Sequence, residues 1–161
     1  MLFHNKLFSK LYTKESISPI ITDWKTNNQK IVFTNGCFDI LHRGHVEYLA
    51  KAKDLGTKLI IGLNTDDSVK RLGKSPDRPI NNEETRAVVL AALECVDAIV
   101  LFNEDTPLLL ITFILPNVLV KGSDYKVETI VGYKEVTENG GEVKTIDFVE
   151  GFSTTSILKK L

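Results

Sequence analysis

The 161-residue chain has only two cysteines, Cys37 and Cys95. Two isolated cysteines make neither a disulfide framework nor a zinc site, so a reducing compartment, the cytoplasm, is expected. No run approaches 18 apolar residues, which leaves no candidate membrane span. The first residues, MLFHNKLFSKLYTKES, lack the apolar stretch of a secretion signal. Charge of one sign is missing too. Twenty Lys and Arg against 21 Asp and Glu give a formal net charge of -1. Such a balance supplies no bulk attraction to nucleic acid or to a membrane surface. Internal repeats and low-complexity segments are absent. So are a Walker A lysine motif, a GxGxxG fingerprint and a GxSxG elbow.

What is present is the composition of a soluble globular domain, 43% hydrophobic and 25% charged. A chain of this length buries a core without metal or disulfide help. Apolar runs at 30–35, 58–63, 97–102, 117–121 and 142–146 have strand length, and most are apolar throughout, as buried parallel strands are. Helical patterns lie between them. Residues 44–55 place Val46, Leu49, Ala50 and Ala52 near one face and stop at Gly56. Residues 82–94 open with Asn82 as cap and Glu83 and Glu84 in the first turn. Residues 106–115 open with Thr106 as cap and Pro107 as first helical residue. A last helix spans 154–161, and an extra one spans 13–28 with Ile17, Ile20, Ile21 and Trp24 on its apolar side. This alternation predicts an α/β fold: a Rossmann-like, doubly wound parallel sheet of about five strands with an extra N-terminal helix. Residues 1–29 form the helical extension and 30–161 the domain. The longest irregular stretch, 71–81, is expected to be functional.

Ligands of an open parallel sheet bind beyond the carboxyl ends of its strands. Four clusters fall there. The first runs from Asn35 through Gly36, Cys37, Phe38 and Asp39 to His42, Gly44 and His45. Gly36 permits close backbone approach, and Gly44 a tight entry into the helix. His42 and His45, three apart, share a face at a helix N-terminus, where an anion is favoured. A capped helix with two surface histidines fits the same residues, as does a metal site of Asp39, His42 and His45. The second cluster, Gly151, Phe152, Ser153, Thr154, Thr155 and Ser156, is either a plain helix cap or, having more hydroxyls than one cap needs, a second phosphate cradle. The third is basic: Lys70, Arg71, Lys74 and Arg78, then Arg86 on the next helix. It is either a solvated surface or the counter-charge of a triphosphate. The fourth, Lys121, Gly122, Ser123, Asp124 and Tyr125, reads as a turn or as the wall of a ribose or base pocket.

The stretch GCFDILHRGH at 36–45 resembles the signature of the HxGH nucleotidyltransferase superfamily, and Ser153-Thr154-Thr155 resembles its second signature. Within it, the chain is similar to the adenylyltransferase domain of bacterial ADP-heptose synthesis. The likeness covers nearly everything from Lys30 to Leu161. It is carried by KIVFTNGCFDILHRGHVEYL, NTDDSVKRL, RPIN, ALECVDAIVLFNEDTP, VLVKGSDY, NGGEV and GFSTTSILKKL. Two-domain members carry a sugar kinase domain first. About thirty residues precede the first strand here, so a stand-alone transferase is expected. Glycerol-3-phosphate cytidylyltransferases carry an arginine shortly before the serine-threonine run, where this chain has Phe148.

The resemblance implies transfer of AMP from ATP to D-glycero-β-D-manno-heptose 1-phosphate. His42, His45 and Lys74 would be catalytic. Backbone N–H groups near Cys37 and Phe38 would assist, and Ser153, Thr154, Thr155 and Lys74 would hold the β and γ phosphates. Asp39 would orient a cation, with Arg86 the candidate. Lys121, Gly122 and Asp124 would line the nucleotide or acceptor pocket. Mg²⁺ would accompany the triphosphate, with no metal site of the protein's own, and a homodimer is compatible. Cytidylyl transfer to an alditol phosphate and a non-catalytic nucleotide sensor are the alternatives.

Overall fold

The computed structural model describes residues 2–73 and 77–158. In chain order the elements are α1 (Phe3–Phe8), β1 (Leu11–Tyr12), α2 (Lys14–Thr26), β2 (Ile31–Gly36), α3 (Arg43–Lys53), β3 (Lys58–Asn64) and α4 (Asp66–Arg71). Then come α5 (Glu83–Ala91), β4 (Ala98–Phe102), α6 (Leu108–Ile114), β5 (Val118–Gly122), α7 (Tyr133–Glu138), β6 (Glu142–Ile146) and α8 (Thr154–Leu158). The strands form one parallel sheet in the order β1-β4-β3-β2-β5-β6.

Alternate residues of the buried strands feed two cores, because successive side chains point to opposite faces. Val32, Leu59, Ile61 and Leu63 pack against Tyr48, Leu49 and Ala52 of α3 and against Ala87, Leu90 and Ala91 of α5. Ile31, Phe33 and Ile60 pack on the other face with Ile17 and Ile21 of α2 and Leu110, Ile111 and Ile114 of α6. Each such aliphatic side chain contributes about 1.5–3 kcal/mol on full burial.

The five expected strands are present within a residue or two of their predicted ends. The sixth, β1, pairs with β4 through Leu11↔Ile99 and Tyr12↔Val100. Two residues are too few to leave an alternation in the sequence. The N-terminal helix is α2, opened by Thr13, whose side chain accepts from the Ser16 N–H in a capping box. Two details differ from expectation. On α3, Val46 and Ala50 face solvent, and Tyr48 joins Leu49 and Ala52 on the buried side. The hydroxyl of Tyr48 hydrogen-bonds Thr34 of β2 at 2.8 Å, which fixes the helix's rotation. On α6, Pro107 is the cap and the helix begins at Leu108.

The chain steps from β2 to β3 and β4 on one side, then returns to β5 and β6 on the other. The switch point therefore lies between β2 and β5. β2 pairs with β3 from Ile31↔Lys58 to Gly36↔Leu63. Its pairing with β5 is confined to Val32↔Val118 and Phe33↔Leu119. Past Phe33 and Leu119 the two strands part, and a crevice opens at their carboxyl ends.

Candidate active site

That crevice holds a cavity of about 650 Å³. Asn35, Gly36, Cys37 and Phe38 reach it from the end of β2, and His42, Gly44 and His45 from the start of α3. Lys121, Gly122 and Asp124 enter from the end of β5, and Ser153 and Thr154 from the start of α8. The first, second and fourth clusters of the sequence, separated by up to 120 residues, therefore meet at one site. Lys74 and the side chain of Thr155 lie outside the described residues.

The loop after β2 turns sharply at Phe38, a non-glycine residue with φ of 45°. At Gly44 a Cβ would stand 3.0 Å from the His42 ring and 3.3 Å from Cβ of Phe152. Glycine there lets α3 begin directly against His42 while the approach to α8 closes over it. His42 is the N-cap residue of α3, and its side chain makes no capping hydrogen bond. The His42 and His45 rings stack with centroids 3.8 Å apart at 24°. The Nδ1 atom of each is buried and makes no hydrogen bond among the described residues. A buried polar atom left unpaired is costly, so this arrangement favours a ligand that supplies the partners. Burial lowers the His42 pKa. Burial, with the neighbouring His42, takes His45 down to about 4. Two charged rings this close would repel, and both are neutral near pH 7 in the unliganded protein.

This has a consequence for stability. In the unfolded chain His45 takes its proton as pH falls through about 6.5, whereas in the fold it waits until about 4. Stability is full above about 6.5 and declines between there and about 4. Allowing for partial exposure, the loss is about 2 kcal/mol. Urea unfolding of wild type and His45→Gln across this range checks it. The variant should lack most of this decline. Asp39 acts lower, because its pKa lies below the usual 3.8 and its contribution fades only beneath that value.

Asp39 and Arg86 do not line the cavity, and they do not pair with each other. The expectation that Arg86 is the cation oriented by Asp39 is corrected here. The Asp39 side chain is fully buried and accepts from Arg78 Nε (3.0 Å), the Ile80 N–H (3.0 Å) and the Asn81 N–H (2.9 Å). Burial alone would push its carboxyl up, but the two amides and the Arg78 guanidinium outweigh that and lower it. With both oxygens so engaged, Asp39 does not complete a metal site with the histidines. Arg86 is only 1% exposed. It donates to the Cys37 carbonyl (2.7 Å), the Asn81 carbonyl (3.0 Å) and the Asp66 carboxylate (2.7 Å). It therefore holds the loop after β2 from behind, away from the cavity.

The basic cluster is likewise largely committed. Arg71 pairs with Asp105 at 2.7 Å and donates to the Asn103 carbonyl, while Lys70 pairs with Asp67 at 3.3 Å. Nothing near these cations in sequence marks Asp39 or Asp105 as their partners. The Ser153 hydroxyl accepts from the Ser156 N–H at 3.0 Å, so it caps α8 as well as lining the cavity. Lys121 places its ammonium 5.6 Å from the centre of the Tyr125 ring. Sequence reasoning missed Tyr48, Asn64, Asp105 and Phe148 as lining residues. Only Phe148 carried a signal, its closeness to the serine-threonine run.

Residues 33–160 match the family model described as cytidylyltransferase-like. The bifunctional protein HldE of Histophilus somni is 60% identical over 137 residues, which are 85% of this chain and 29% of that protein. The HldE protein of Trichlorobacter lovleyi is 50% identical over 160 residues, 99% of this chain and 32% of that one. The chain thus spans about a third of the length of these curated relatives. The lipopolysaccharide core biosynthesis protein of Thermoplasma volcanium superposes with a TM-score of 0.62 at 28% identity, over 75% of this chain and 97% of that chain. A pantoate-β-alanine ligase of Francisella tularensis, solved with an ATP analogue and β-alanine, has a TM-score of 0.63 over 94% of this chain and 72% of that one. At 15% identity it speaks for the fold alone. The family match begins at Phe33 on β2 and runs through the start of α8, so it takes in both sides of the cavity: the chain belongs to the cytidylyltransferase-like family.

Proposed function

We propose that the chain is a nucleotidyltransferase that moves AMP from ATP to D-glycero-β-D-manno-heptose 1-phosphate, giving ADP-heptose and pyrophosphate for the lipopolysaccharide core. The observation that carries this reading is the 50–60% identity to proteins named HldE over 85–99% of the chain. Residues 30–161 carry both signatures and residues 1–29 add β1 and α2 to the same sheet and core, and a cytoplasmic homodimer is compatible with this reading.

A phosphate oxygen of the sugar phosphate attacks the α-phosphorus of ATP. The bond to the bridging oxygen breaks, and pyrophosphate leaves with the electron pair. The nucleophile is already an anion, so no strong base is needed, and catalysis rests on orientation and charge stabilisation. His42 and His45 face the phosphates with imidazoles whose Nδ1 atoms lack partners. Negative charge beside them raises their pKa values and favours the donor form. The backbone at Cys37 and Phe38 and the hydroxyls of Ser153 and Thr154 hold the remaining oxygens, with Lys74 and Thr155 assigned the β and γ phosphates. Among the described residues no cluster of three His, Cys, Asp or Glu could hold a cation. A Mg²⁺ ion accompanying the triphosphate would be carried by phosphate oxygens and water.

Cytidylyl transfer to an alditol phosphate is the second reading, drawn from the family's description. Phe148, standing where the glycerol-3-phosphate enzymes carry arginine, weighs against it. Pyrophosphate release discriminates the two. Turnover with ATP and the heptose 1-phosphate should exceed that with CTP and glycerol 3-phosphate by at least about tenfold in kcat/KM, a difference of about 1.4 kcal/mol. A preference for CTP would overturn the adenylyl assignment.

A further inference from the structure

We propose that Phe148 is the platform on which the nucleobase stacks, and that it favours a purine. This rests on the nucleotidyl-transfer reading and adds to it the residue that selects the base.

Phe148 lies two residues beyond β6 and folds back over the end of β5. Its ring occupies the space a side chain at Gly122 would need. A Cβ at Gly122 would stand 2.1 Å from Cζ and 2.5 Å from Cε2 of that ring. Glycine at 122 is thus what lets the ring rest against the strand. On another side the ring meets Tyr48 at 6.2 Å between centroids and 25° between planes. Tyr48 is itself only 7% exposed and is tied to Thr34, so the support is rigid. Yet Phe148 remains 57% exposed, and that surface lines the cavity. An aromatic ring backed by strand and by a fixed tyrosine, with area free toward the cavity, suits a planar partner.

The surroundings determine which part of the ligand that is. Gly36 ends β2 and Gly122 ends β5, so the two glycines stand on the two sides of the crevice that opens where these strands part. The platform therefore stands across the crevice from the phosphate loop. Tyr125, three residues beyond the end of β5 and half exposed, also lines the cavity. Asn64, which donates to Ser68, Asp105, which pairs with Arg71, and Thr106 line the cavity from the β3 and β4 side and make it polar there. A nucleotide with its phosphates at the histidine pair places its only large apolar plane on the Phe148 wall. Stacking grows with overlapping area, so a two-ring base gains more than a one-ring base.

The test is calorimetric binding of ATP, CTP and inorganic tripolyphosphate to wild type, Phe148→Ala, Phe148→Leu and Phe148→Trp. Base–aromatic stacking of ordinary strength predicts that Phe148→Ala and Phe148→Leu weaken ATP binding by about 5- to 100-fold. CTP should lose less, tripolyphosphate should bind as before, and Phe148→Trp should retain ATP affinity. Far-UV circular dichroism should be unchanged, because the ring is more than half exposed. Unaltered ATP affinity in both truncations would overturn the proposal. An equal loss of tripolyphosphate binding would also overturn it, by showing that the ring shapes the phosphate cradle. No acceptor is present in this experiment. Failure of the heptose phosphate as a substrate would therefore sink the proposed reaction and leave the stacking result standing.

Discussion

His45→Ala is expected to lower kcat by about 10²–10³ and to leave the fold intact. That loss is typical when one preorganised donor to a developing charge is removed. The packing around His45 suits such a preorganised group. The His45 ring packs between His42, stacked at 3.8 Å, and Phe38, edge-on at 5.3 Å, which restrict its rotation. Its Nδ1 has no hydrogen-bond partner among the described residues, which is a cost to the free protein. Removing the ring should therefore leave the melting temperature unchanged or slightly raised. His42→Ala should behave alike, since its side chain contributes no cap to α3. Stopped-time pyrophosphate release together with thermal melts separates the cases. Intact kcat in either variant would remove that histidine from the transfer step. A fall in kcat accompanied by a large loss of stability would make the pair structural.

Arg86→Ala is expected to cost about 3 kcal/mol of stability and, below its lowered melting temperature, about 10²-fold in kcat. Removing one partner of a buried ion pair typically costs about 3–5 kcal/mol. The lower end applies because the Asp66 side chain is 27% exposed, so water can partly replace the guanidinium. The Cys37 and Asn81 carbonyls would also lose their donor. Kinetics suffer because Cys37 belongs to the loop that turns at Phe38 into the cavity, and misplacement by about 1 Å in such a loop costs about 10² in rate. Arg86→Lys, which can restore one of the bonds, should fall between. The opposite pattern would return Arg86 to the role of a phosphate ligand. That pattern is full stability in urea with a raised KM for ATP and unchanged kcat.

The fold was legible because its signal is periodic and local. Strands such as Lys58–Asn64 are buried on both faces, so they read as unbroken apolar runs. β1 was not legible, because a two-residue edge strand owes its pairing to β4 rather than to its own composition. The rotation of α3 was misjudged for a similar reason. Val46 and Ala50 are as apolar as their neighbours, and the hydrogen bond from Tyr48 to Thr34 decides which face turns inward. At the site, the glycines, histidines and hydroxyls were found because their spacing at strand ends has a direct chemical meaning. The destinations of Asp39, Arg78 and Arg86 were not found. A charge in a sequence does not name its counter-ion, and Asp39 meets Arg78 across 39 residues.

The sequence alone determined the α/β class, the strand-end position of the two signatures and the residue types able to hold phosphate. These depend on patterns of a few residues and on the chirality that every parallel sheet shares. Only the tertiary structure decided which charged groups are spent on the protein itself. It buried Asp39 and Arg86 behind the loop after β2, where a carboxylate and a guanidinium must find partners or lose several kcal/mol. It stacked His42 on His45, and it laid Phe148 over Gly122 at the parting of β2 and β5. Each of these is a meeting of segments distant in the chain, set by how the two cores close around the sheet.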